Sequence, residues 1–194
     1  MKYYYLVASL PSLVLGEPPP LNMERLRFSC STVLEPEDMA ELERIAAGRD
    51  EECSGAFMQA WRDAEYQLRN AVAAVRAHRR NVEAQPHLRE HRGFRVWIEK
   101  AVTDAFAKPN PAEREMALDR LRWQILDELS RQDPFGVGPV LAFALKLRMA
   151  ERWARLDAAA GRRMLDGFVQ QQAAGAVEPL IAQAEADTAA VPGA

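Results

Sequence analysis

The residues with the clearest capacity for chemistry are His87, Glu90 and His91, in the run His87-Leu88-Arg89-Glu90-His91. The pattern H-x-x-E-H offers two imidazoles four positions apart with a carboxylate between them. On a helix that spacing sets both imidazoles on one face, where they hold a zinc ion while Glu90 serves as base toward a bound water. The chemistry would be metal-assisted hydrolysis. The surroundings oppose it. Pro86 and Gly93 leave scarcely two turns for a helix, and Arg89, Arg92 and Arg95 bring positive charge to the place a cation would occupy. A third ligand must come from far downstream, and neither Glu151 nor Glu178 is marked out for it by spacing.

Charge is the second candidate signal. Residues 35–52 hold eight acids against Arg44 and Arg49, a net of -6, whereas residues 76–95 hold six arginines against Glu83 and Glu90, a net of +4. The latter stretch also contains all three histidines. One reading is a dipolar molecule with an acidic face for one partner and a basic face for another. The other is that acids gather at helix starts and arginines at a helix end, matching the helix macrodipole. A nucleic-acid partner is not expected: the formal net charge is -3, and the basic stretch has few interleaved aromatics beyond Phe94 and Trp97.

Other motifs fall short of a site. Gly136-Val137-Gly138 has no preceding strand, no third glycine and no Gly-Lys-Ser/Thr, so it reads as a tight turn between helices rather than a phosphate loop. Cys30 and Cys53 make no metal-type spacing and read as buried, reduced thiols. The start, MKYYYLVASLPSLVLG, has three consecutive tyrosines and Pro11 in its apolar stretch, which does not suit a secretory signal. No Ser/His/Asp or Cys/His arrangement emerges from spacing. The sequence therefore assigns no catalytic, cofactor-binding or metal residue, and a non-enzyme is expected.

The elements that would position these residues are almost all helical. At 48% hydrophobic and 27% charged, the chain has the balance of an ordinary globular protein. The expected fold is all-α: a multi-helix bundle of amphipathic helices, preceded by a short segment, residues 2–10, whose pattern fits a strand or a helix. Gly16 and Pro18-Pro19-Pro20 end that segment. A helix capped by Asn22 runs to about Ser31, and another starts at Pro36, with Glu37 and Asp38 in its first turn and Gly48 past its end. Phe57, Trp61, Ala64, Leu68, Val72 and Val75 form one stripe of a long helix from about Gly55 to Arg80. Phe94, Trp97, Ile98, Val102 and Phe106 mark a further helix, stopped by Lys108-Pro109. Asn110-Pro111-Ala112-Glu113 then opens one carrying Leu118, Leu121, Ile125 and Leu129. The four tryptophans, Trp61, Trp97, Trp123 and Trp153, fall one to a helix and suit helix packing.

The stretch from Asp133 to Arg155 stands apart. Pro139 fits a first helical turn, Val140 to Leu145 is an unbroken apolar run, and Lys146, Arg148, Glu151, Arg152 and Arg155 continue it as a charged pattern. Such a start must be covered by protein, and it is far shorter than the ~20 apolar residues that cross a bilayer. The helix is expected over roughly 139–160, interrupted near Gly161, with Met164, Leu165, Phe168 and Val169 on one more apolar face. Residues 1–178 are expected to form a single helical domain and 179–194 a polar, frayed tail.

MKYYYLVASLPSL, PPPLNMERL and LEPEDMAELERI together resemble a family of uncharacterised proteins encoded in bacterial V-type ATPase operons. FGVGPVLAFALKLRMAERWARL is similar in pattern to the last helix of the V/A-type ATPase C subunit, also known as the d subunit. The matching positions are Pro139, Val140, Leu141, Ala142, Phe143, Lys146, Glu151 and Arg152. The likeness spans most of residues 1–170 loosely and is specific at the N-terminal block and at 135–156. Two positions depart from it: Glu35 stands where a Ser or Thr cap is favoured, and Phe143 replaces a tyrosine. The chain is also much shorter than a full-length C subunit, which implies that at least one repeated helical lobe is missing.

The resemblance implies an all-helical, non-catalytic coupling or assembly component of a rotary ATPase, linking the central stalk to the membrane rotor ring. Its partners would be those subunits, its place cytoplasmic and peripheral to the membrane within the complex, and its membrane contact indirect. Lys146, Glu151, Arg152 and Arg155 are the residues expected to carry partner contact. Two alternatives stay open: a small zinc-dependent hydrolase using His87, Glu90 and His91, and a helical adaptor unrelated to ATPases.

Overall fold

The computed structural model describes residues 2–156. Within them lie seven α-helices and no strand: α1 Tyr4–Ser9, α2 Met23–Ser31, α3 Pro36–Ala46, α4 Ala56–Arg80, α5 Val96–Phe106, α6 Pro111–Ser130 and α7 Gly138–Ala154. The fold is all-α, as the periodicity requires. The chain divides into one compact unit, Met1–Ala154, which holds all seven helices, and a second, Arg155–Ala194. The apolar face at 164–169 and the tail at 179–194 lie outside the described residues.

Helix α7 is the centre of the first unit. Every residue from Val140 to Leu145 is buried, as are Leu147 and Ala150. An element apolar on all sides needs neighbours on all sides, and α2, α3 and α6 supply them. Gly138 opens α7 where Phe57 of α4 presses closest: a Cβ there would lie 2.9 Å from the Phe57 ring. The turn before it, with Gly136 N–H donating to the Asp133 carbonyl, is the tight helix-to-helix connection its glycines imply. Helices α4, α5 and α6 pack against one another, burying Met58, Trp61 and Leu68 of α4, Ile98 and Val102 of α5, and Leu118, Ile125 and Leu126 of α6.

Local chemistry sets the helix boundaries. Asn22 accepts from Arg25 N–H and Asn110 from Ala112 N–H, both N-caps. Helix α3 solves its start differently, because Glu35 makes no side-chain cap. The buried Tyr3 hydroxyl accepts from Glu35 N–H at 3.2 Å and donates to Asp38, the third residue of the helix. In a capping box the third side chain reaches the cap N–H directly; here a tyrosine from outside the helix bridges them. That contact, together with Tyr3 N–H donating to the Phe135 carbonyl at 2.9 Å, seats the N-terminal segment as helix α1. Gly55 is the cap residue before helix α4, and there the buried Glu41 of α3 accepts from Ser54 and Gly55 N–H at 2.9 and 3.3 Å. A carboxylate suits that positive helix end.

Phe94 lies outside the helix its pattern suggested. It precedes α5 and is 61% exposed, because the chain from 88 to 95 is irregular rather than helical.

Candidate functional site

The segment carrying His87, Glu90 and His91 is not helical. His87 closes a 3-10 turn, Gln85–His87, and the residues after it run as irregular chain up to α5. The cause is a set of polar side chains on α4 that take the hydrogen bonds a helix would have made internally. Asn70 exchanges two with Arg89: its amide nitrogen donates to the carbonyl at 2.7 Å, and Arg89 N–H donates to its oxygen at 2.9 Å. Gln67 does the same with Arg95, both at 2.9 Å, and Asp63 accepts from Arg92 N–H at 3.0 Å. Asp63, Gln67 and Asn70 lie four and three residues apart, on one side of α4. They bind the segment much as a neighbouring strand would. The shared helical face that zinc ligation by His87 and His91 requires is therefore not formed. His91 turns its Nδ1 to the Gly93 carbonyl at 3.1 Å, and no group of three His, Cys, Asp or Glu among the described residues is placed to hold a metal ion.

The densest assembly of charged groups lies instead where α4, α6 and α7 meet. Arg122 of α6 donates Nε and Nη2 to Glu65 of α4, at 3.0 and 3.1 Å, and Nη1 to Asp119 at 2.9 Å. Arg69 adds an Nε contact of 2.8 Å to Glu65. Asp119 also accepts from Arg152 of α7 and, at 2.7 Å, from Trp153 Nε1. Burial alone would lower the Arg122 pKa, but the charges and hydrogen bonds of Glu65, then of Asp119, overcome it and raise it. Two buried carboxylates, 7% and 1% exposed, are thus shared among three guanidinium groups. The network borders a cleft of about 340 Å³ that Asp50, Glu115 and Arg148 also line. With its acceptor positions occupied by guanidinium and indole donors, the pair acts as a clamp between helices rather than a proton shuttle.

Each residue expected to meet a partner has an observed position. Lys146 donates to Asp127 of α6 at 2.5 Å and sits 5.1 Å from the centre of the Trp123 ring. Glu151 accepts from Met23 N–H at the start of α2, at 3.0 Å. Arg152 reaches Asp119 with a side chain still half exposed. Arg155 comes just after the end of α7 and is exposed. The charged continuation of α7 thus makes internal contacts through Lys146, Glu151 and Arg152.

Arginines also serve helix ends remote in sequence. Arg148 donates to the Ile45 carbonyl near the end of α3 at 2.8 Å and pairs with Asp50, and Arg79 donates to the Phe106 carbonyl that ends α5 at 2.5 Å. These account for part of the uneven charge in the sequence: Glu41 and Asp50 of the acidic stretch and Arg79 of the basic one cap or brace helices. Of the tryptophans, Trp61 is buried and the other three are half-buried in helix packing. Cys30 and Cys53 are both buried free thiols.

The site thus belongs to a helical protein whose charged side chains brace one helix against the next. Residues 99–173, which take in all of α6 and α7, are similar to a protein family described as a protein of unknown function (DUF2764). No curated protein and no solved structure matches the chain.

Proposed function

We propose that this chain is a non-catalytic coupling or assembly component of a bacterial V/A-type rotary ATPase, similar to its C subunit, linking the central stalk to the membrane rotor ring. The observation that carries the reading is the meeting of the two sequence blocks on which the resemblance rests. Tyr3 N–H bonds to the Phe135 carbonyl, the Tyr4 ring lies 5.2 Å from that of Phe135, and Met23 N–H bonds to Glu151. The two blocks that carry the likeness are thus parts of one packed body. A central helix enclosed by its neighbours and clamped by buried ion pairs suits a part that transmits force without deforming.

No helix among the described residues is long and apolar enough to cross a membrane, and the proposed contact with the membrane runs through the ring subunits. The test is co-expression of the full chain with the ring and central-stalk subunits, read by co-elution on size-exclusion chromatography. Stoichiometric co-elution with either supports the role. Folded chain that elutes alone from both overturns it and leaves the unrelated helical adaptor.

A further inference from the structure

A groove of about 360 Å³ between α4 and α6 joins an apolar floor to a cationic rim. Leu68 and Leu118 lie buried at its base, Val72 and Ala77 continue it along α4, and Val82 stands 56% exposed at its end. Above them rise Arg76, Arg80 and His87, all exposed. Arg69 and Arg122, which also line the groove, are engaged by Glu65. Arg76 and Arg80 are different: among the described residues neither has a carboxylate within ion-pair distance, and the Arg76 guanidinium rests 5.8 Å from the Phe106 ring. The lining contains one carboxylate, Glu115.

The macrodipole explains cations in the last turn of α4, such as Arg79 and Arg80. It does not explain Arg76, one turn earlier, or an exposed valine beside a recessed apolar floor. From Leu68 to Arg80 the groove runs along α4 for about 18 Å, room for roughly three turns of a docked helix.

We propose that this groove receives an acidic amphipathic helix of a partner protein. Its apolar stripe covers Val72, Ala73 and Val82, and its flanking carboxylates meet Arg76 and Arg80. This is helix-in-groove recognition, with charge fixing polarity and partner choice. A flat anionic membrane surface would reach the arginines but not the floor beneath them. The proposal is independent of the ATPase reading, which rests on other parts of the sequence, the N-terminal block and α7.

The experiment uses the full chain and a synthetic amphipathic peptide of about five turns, with leucines at i, i+3, i+4 and i+7 and glutamates on both flanks. A lysine-flanked counterpart and phosphatidylglycerol vesicles are the comparisons. Fluorescence anisotropy is expected to show the acidic peptide binding at least about tenfold more tightly than the basic one. Arg76→Glu with Arg80→Glu, and separately Val82→Asp, should each weaken it about tenfold. These residues are exposed, so the circular dichroism spectrum should not change, and the urea midpoint of the arginine variant should fall only slightly, because acids at the C-terminal end of α4 oppose its dipole. Amide shifts on peptide addition should fall within 68–82 and 115–122. Equal binding of both peptides, undiminished binding by the variants, or capture by the vesicles in place of the peptide would overturn the proposal.

Discussion

Arg122 lays two N–H groups side by side on the carboxylate of Glu65, Nε to Oε2 at 3.0 Å and Nη2 to Oε1 at 3.1 Å. This bidentate geometry is the strongest form of charge-assisted hydrogen bond available to side chains. It joins α4 to α6 at a point where Glu65 is 7% exposed, and the third prong on Asp119 extends the clamp toward α7.

Removing the guanidinium should therefore cost far more than removing the pair. Arg122→Ala leaves the buried Glu65 carboxylate with Arg69 alone, and its loss of stability is expected at the lower end of the about 3–5 kcal/mol that breaking a buried pair costs. Glu65→Leu combined with Arg122→Met removes both charges and leaves Asp119 with Arg152 and Trp153, so its loss should be much smaller. Urea unfolding midpoints separate the two. If the single and double variants unfold together, the clamp does not hold these helices.

The irregular segment before α5 offers a second test, because its order depends on α4 side chains. Gln67 is 3% exposed and exchanges two hydrogen bonds with Arg95. Gln67→Met keeps the volume but leaves the Arg95 N–H unpaired, while the Arg95 carbonyl keeps the Ile98 N–H, at a cost of about 1–3 kcal/mol. Hydrogen exchange at the Arg95 amide should accelerate about tenfold or more, while amides in the middle of α4 keep their protection. Trypsin should cleave after Arg92 and Arg95 sooner than in the parent chain. Unchanged exchange at Arg95 would show that the tether does not order the segment.

How much of this was legible in the sequence depends on how local the cause is. Asn22, Pro36 and Asn110 mark helix starts because a cap acts within one turn, and the stripe through Leu118, Leu121 and Ile125 marks α6 because burial tracks its period. The N-terminal six-residue helix has too few turns for a period, and its conformation rests on Phe135 and Asp38, far away in the chain. The histidine segment showed its breaks, Pro86 and Gly93, but not the side chains 19 to 29 positions earlier that hold it out of a helix. Glu65, Asp119 and Arg122 left a usable signal. Glu65 and Arg122 occupy the register of Trp61, Leu68, Leu118 and Ile125, and Asp119 lies seven residues before the buried Leu126, positions where a charge means a buried pair. A reading that counts only the apolar residues of a stripe passes over them.

The two thiols carry the last prediction. Burial pushes the Cys30 thiol up to about 11, and burial together with the nearby Glu41 charge pushes Cys53 up to about 12, from an ordinary value of 9.0. Both groups have folded values above their unfolded ones. Their stabilising contribution is complete below pH 9 and is lost as pH rises toward 11 and 12, because the unfolded chain releases these protons first. Tyr3, raised by burial and then by its bond to Asp38, adds to the decline above its ordinary value of 10.0. Urea unfolding measured from pH 7 upward should show a plateau and then a fall beginning near pH 9. A Cys30→Ala, Cys53→Ala variant, less stable at neutral pH through lost packing, should show a shallower fall between pH 9 and 10. At pH 8 the native chain should react slowly with a disulfide reagent such as dithiobisnitrobenzoate, and both thiols rapidly once urea is added. Fast titration of either thiol in the folded protein would contradict the buried placement of that cysteine.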